Sequence, residues 1–170
     1  MLIQQKIGNI NSFEINDRSI DHLKLEWYET NKRILHKRTE SGKEITIKFL
    51  KENQDLTEGD IIYQDSESII IIDIVPCDVI IIRPKTMHEM ASVSYEIGNK
   101  HLPLFFQGDE LLVSFEAPLF RMLIAAGYDV KEGKRKLINS LRSTVAPHGH
   151  SANGGSLFSK IMKLTTSADE

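Results

Sequence analysis

Cysteine is almost missing from these 170 residues: Cys77 stands alone. One thiol closes no internal disulfide and builds no cysteine-based zinc knuckle, and it favours a reducing, cytoplasmic setting. Long apolar runs are missing too. The longest, around residues 69–72 and 79–82, are far too short to span a bilayer, so no membrane partner is expected. Residues 1–6 have no basic segment followed by an apolar run, so no signal peptide is expected there. Positive charge is not in excess: 21 Lys and Arg against 24 Asp and Glu leave a net charge of −3 with histidine neutral. Such a chain is poorly suited to neutralising phosphates, and it carries no RNA-recognition aromatic motif, so no nucleic acid is expected. There is no His-Glu-x-x-His, no internal repeat and no cluster of ligands with a general base, as a metal-dependent hydrolase requires.

What is present suffices for a folded body. Hydrophobic residues make up 41% of the chain and charged residues 26%, enough for a core and a solvated surface in one ordinary domain or two small ones. The front reads as strands and turns: residues 2–7, closed by Gly8-Asn9; 20–27; 33–38 and 43–49 around the turn Glu40-Ser41-Gly42; 60–63; and 68–75. Ile45, Ile47 and Phe49 share one face by alternation, and the β-branched run Ile69-Ile70-Ile71-Ile72 fits a buried strand. A small all-β domain over 1–75 follows.

After Pro76 the pattern changes. Residues 78–83 form an isoleucine-rich strand. Thr86 and Glu89 have capping-box spacing, Met87, Met90, Ala91, Ser94 and Ile97 recur at helical spacing, and Gly98 is placed to end that helix in a left-handed conformation. Two short strands flank Gly108-Asp109. Pro118 opens a second helix lined by Leu119, Leu123 and Ala126 and stopped by Gly127, and 128–137 supplies a last strand. The order β-α-β-β-α-β over 76–142 is that of a ferredoxin-like sheet with both helices on one side, so the fold class is α+β. Residues 143–170 read as a flexible, histidine-containing tail. It holds the linker-like Ser151-Ala152-Asn153-Gly154-Gly155-Ser156 and an apolar patch, Leu157-Phe158-Ser159-Lys160-Ile161-Met162, suited to dock on a partner or on the body.

The histidines are the only residues that suggest a site. His101 follows the first helix in Gly98-Asn99-Lys100-His101, and His148 and His150 sit in Pro147-His148-Gly149-His150. Neutral imidazole is a good ligand for nickel, zinc and copper. In an extended segment, residues two apart project to the same side, so His148 and His150 can meet one ion. Read without further context, His101 is first a helix-end residue favourable to the dipole rather than a ligand, and a His-x-His pair is equally ordinary loop. His22, His36 and His88 read as structural or surface residues and Cys77 as a small buried hydrophobe. Lys131, Lys134, Arg135 and Lys136 read as a solvated strand face, with docking of an acidic partner as the functional option.

The stretch Tyr95-Glu96-Ile97-Gly98-Asn99-Lys100-His101-Leu102-Pro103-Leu104, followed by Gly108-Asp109-Glu110-Leu111-Leu112-Val113 and Ala117-Pro118-Leu119, resembles the urease accessory protein UreE family of nickel metallochaperones. Asp21-His22-Leu23-Lys24-Leu25-Glu26-Trp27-Tyr28 is similar to that family's N-terminal domain, so the resemblance covers most of the chain. It implies a non-catalytic carrier of Ni2+ for urease maturation. It also implies a homodimer joined through the ferredoxin-like domains, with His101 of each protomer at the twofold axis and His148 and His150 as further ligands. The implied partners are the accessory GTPase UreG and the apo-urease accessory complex. Zn2+ and Cu2+ are expected to bind in vitro, because ligand type alone does not select nickel. Ser114, Phe115 and Glu116 stand where some relatives carry extra histidines, which argues against a secondary site there. The alternatives are an RNA-binding or a general divalent-metal (Zn/Cu) ferredoxin-like module.

Overall fold

The computed structural model describes residues 1–49 and 55–141. His148, His150 and the rest of the tail lie outside them. In chain order the strands are β1 (Leu2–Ile3), β2 (Gly8–Asn9), β3 (Ser19–Leu25), β4 (Ile34–Arg38), β5 (Glu44–Lys48), β6 (Asp60–Gln64), β7 (Ser68–Ile74) and β8 (Cys77–Ile82). Helix α1 (Met87–Asn99), β9 (Phe105–Gln107), β10 (Glu110–Ser114), helix α2 (Ala117–Ala125) and β11 (Val130–Arg135) follow.

The front half folds as two sheets, β1-β5-β4 and β2-β6-β7-β3. The expected strand over 2–7 is instead two short ones. Leu2 and Ile3 run parallel to Thr46 and Ile47 in one sheet, whereas Gly8 and Asn9 pair with Ile61 and Asp60 in the other. The intervening residues are exposed as the chain crosses between sheets. The strand expected to run to Trp27 stops at Leu25, and Trp27–Glu29 forms a turn of 3-10 helix.

Alternation explains the packing. Leu23, Leu25, Ile62, Ile70, Ile72 and Ile74 face Ile45, Ile47 and Phe49 across the gap between the sheets. On the opposite face of β6 and β7, Ile61, Ile69 and Ile71 are covered by Ile10, Phe13 and Ile15. Both faces of β7 are thus buried, which is why four isoleucines stand in a row there.

The back half is one antiparallel sheet in the order β11-β8-β10-β9. Counted within this half, that is 4-1-3-2, the ferredoxin-like arrangement. Ile80, Ile82, Leu111 and Val113 pack against Val93 and Ile97 of α1 and Leu119 and Leu123 of α2, so both helices lie on one side. The other side carries Val79, Ile81, Phe105 and Leu112, covered by Leu137 and by Trp27 from the front half. The Trp27 and Phe105 rings meet edge to face, 5.6 Å between centroids.

Helix α1 starts as expected at Thr86, whose hydroxyl accepts from the Glu89 N–H at 3.0 Å. The return half of the capping box is displaced, since Glu89 accepts from the Lys85 N–H rather than from Thr86. The core face of the helix is Met90, Val93 and Ile97, so Met87 and Ala91 of the expected apolar series point outward.

Candidate functional site

Gly98 does not end α1. It remains helical, and the left-handed residue is His101, at φ 56°. The His101 N–H donates to the Gly98 carbonyl at 2.9 Å and the Leu102 N–H to the Ile97 carbonyl at 3.4 Å. This pair of bonds is a Schellman closure, with histidine in the position glycine usually takes. The apolar contact that accompanies such a closure sets its location: Ile97 and Leu102 both join the core beneath α1. With that pair fixed, the reversal falls on residue 101. The imidazole is left exposed.

The surface leading to His101 is apolar. Met87 is 87% exposed and Tyr95 71%. Ala91 and Gly98 are also exposed, and a Cβ built on Gly98 would meet nothing within 4 Å. At 100° per residue, positions 87, 91, 95 and 98 share one face. The sequence alone ranked Met87 and Ala91 with the core; what sets them apart is that 90, 93 and 97 make the tighter stripe.

Beyond His101 the chain enters β9, and the end of the described chain lies beside that strand. The Phe106 N–H donates to the Asn139 carbonyl at 3.2 Å and the Leu141 N–H to the Leu104 carbonyl at 2.7 Å. Phe105 and Ser140 form an antiparallel bridge between these bonds. Leu141, the last described residue, therefore lies beside Leu104, three residues along from His101.

Among the described residues, no three of His, Cys, Asp and Glu come together in a group that could hold a metal ion. His101 belongs to no such group among the described residues. His36 lies with Nδ1 3.0 Å from the Thr46 hydroxyl, and His88 is exposed on the first turn of α1. His22 is half-buried, with Nδ1 lacking a hydrogen-bond partner among the described residues. Cys77 is half-buried where β8 begins. Burial first, then the charges of Glu26 and Asp78, push its thiol up, which disfavours the thiolate a metal requires. Of the basic cluster, Lys131 and Lys134 are exposed, but Lys136 is engaged at 2.6 Å by both Glu58 and Asp73. It ties the back half to the front half through both carboxylates.

Two family models match the chain. The one described as UreE urease accessory protein, N-terminal domain, matches residues 3–75, and the one described as UreE urease accessory protein, C-terminal domain, matches residues 77–155. The urease accessory protein UreE of Flavobacterium johnsoniae is 49% identical over 164 residues, covering 96% of this chain and 99% of its own length. That of Haemophilus influenzae is 41% identical over 153 residues, covering 88% and 82%. That of Helicobacter pylori is 36% identical over 152 residues, covering 87% and 89%.

Proposed function

The chain belongs to the UreE urease accessory protein family, and from that footing we propose that it is a nickel-binding metallochaperone that delivers Ni(II) for assembly of the urease active site. The observation that carries this reading is His101: an exposed imidazole kept in a left-handed conformation that glycine would adopt without strain. Strain of this kind persists where a side chain is needed for something other than folding.

One imidazole binds an ion weakly, and a twofold axis doubles the count. The exposed face of Met87, Ala91, Tyr95 and Gly98 is the natural contact for a second copy, because an apolar helix face ending in an open glycine lets another backbone approach. In that homodimer the two His101 rings share the nickel. His148 and His150 complete its shell. His148 lies seven residues past Leu141, a reach of roughly 25 Å at about 3.5 Å per extended residue, ample from a departure point beside Leu104. An exposed site with a separate arm can lose ligands one at a time, which suits handover to UreG and the apo-urease complex in the cytoplasm better than catalysis. Zn2+ and Cu2+ bind the same ligands in vitro.

We divide the chain into an all-β domain over 1–75, a metal-binding and dimerisation domain over 76–142 and a tail over 143–170. The RNA-binding alternative loses support from the packing: the sheet face on which bases would stack is the one buried under Trp27 and Leu137.

Equilibrium dialysis against nickel tests the proposal. His101→Ala should abolish the tight shared site and leave the dimer intact. A chain ending at Ala146 should bind more weakly but keep one nickel per dimer. Nickel retention by the alanine variant equal to that of the native chain rejects His101 as the ligand.

A further inference from the structure

We propose that the apolar sextet Leu157-Phe158-Ser159-Lys160-Ile161-Met162 docks in the cleft between the two halves of its own chain, against Trp27. A cavity of about 440 Å³ opens there, lined by the apolar Trp27, Leu56, Phe105 and Leu137 and by the polar Lys6, Thr30, Asn31, Asp55 and Thr57. A volume of that size takes a few large side chains.

Three observations select the occupant. First, Ile138, Asn139 and Ser140 line the same cavity, so the chain leaves the described fold from its rim. The Leu141 N–H bond to the Leu104 carbonyl fixes that exit. Second, Leu157 comes 16 residues after Leu141, and the intervening sequence includes Asn153-Gly154-Gly155-Ser156. A linker of that length spans on the order of 20 Å, so it reaches the cavity without being drawn taut. Its attachment gives the sextet an effective concentration in the millimolar range, which a separate peptide must match by affinity. Third, Leu157 and Ile161, and likewise Phe158 and Met162, are four apart, the spacing that aligns anchors along one face of a helix laid in a groove. Docking turns the stretch carrying His148 and His150 from a free arm into a loop held at both ends.

Trp27 is the only tryptophan in the chain, so its fluorescence reports on this cavity alone. The full chain, its Phe158→Asp variant and a chain ending at Ser156 are compared without metal, so that the outcome does not depend on nickel binding. Both altered proteins should show red-shifted emission and a steeper acrylamide quenching slope. A synthetic peptide of residues 155–164, added to the shortened chain, should reverse both changes. Identical emission and quenching in all three proteins overturns the proposal, as does failure of the peptide. Protection of Trp27 that grows with protein concentration assigns the cleft to a second copy and overturns it equally.

Discussion

At the scale of single residues, His101 separates what folding prefers from what the proposed nickel binding requires. A non-glycine residue in the left-handed region is disfavoured by roughly 1–2 kcal/mol, and glycine recovers this less its greater freedom in the unfolded chain. His101→Gly should therefore stabilise the protein by about 0.5–1 kcal/mol, raising the melting temperature by roughly 1–3 °C, while losing the proposed shared nickel site. Thermal unfolding followed by circular dichroism, beside dialysis on the same sample, checks both halves; a glycine variant less stable than the native protein would contradict the strain argument. The sequence singled out His101 as a residue just past a helix. It did not reveal the backbone conformation there, because Gly98 is the obvious helix stop, and only the burial of Ile97 and Leu102 moves the closure three residues on. The unpartnered Nδ1 of His22 and the double engagement of Lys136 were equally invisible, since both arise from residues far away in the chain.

At the scale of elements, local signals read well and long-range ones did not. The hairpin of β4 and β5 follows from Gly42, which takes φ 90°, and from the alternation of Ile45 and Ile47. The order of helices and strands in the back half follows from Thr86, Pro118 and Gly127. The division of the front half into two sheets does not, because nothing in Leu2-Ile3 announces a parallel partner at Thr46. The turn joining β6 to β7 shows how one side chain can organise a connection. An Asp65 carboxylate oxygen accepts the backbone N–H groups of Glu67 at 2.9 Å and Ser68 at 2.7 Å. These bonds to the charged form lower the Asp65 carboxyl from 3.8 to about 2. A depressed folded-state value means that the contribution to stability is present above the unfolded value and fades as pH falls through the folded one. Asp65 should therefore add a stability decrement between pH 3.8 and about 2, and Asp65→Asn should flatten the pH profile in that window. Urea midpoints taken at steps across the window check this; parallel profiles for the two proteins would refute it.

At the scale of the whole molecule, the two halves meet through Trp27 on Phe105 and through Lys136 between Glu58 and Asp73. Burial alone would lower the Lys136 ammonium; the two carboxylates outweigh it and hold it above its ordinary value of 10.5. A raised lysine gives stability that is complete below the unfolded value and lost as pH rises through the folded one. Because Lys136 and Glu58 are about one-third exposed, screening limits the effect. Lys136→Met should lower stability by on the order of 1 kcal/mol, and the difference from the native protein should narrow in concentrated salt. Denaturant titrations with and without added sodium chloride measure both; an equal difference at either salt level would show that packing rather than charge joins the halves. The pairing of the front strands also bears on how the chain is made. β1 waits for β5, β2 for β6 and β3 for β7, so Leu23 and Leu25 have no sheet to enter until Ile72 and Ile74 have left the ribosome. At about 5–20 residues per second, that leaves a hydrophobic amino-terminal segment bare for several seconds of synthesis, an interval in which a nascent-chain holdase has something to grip.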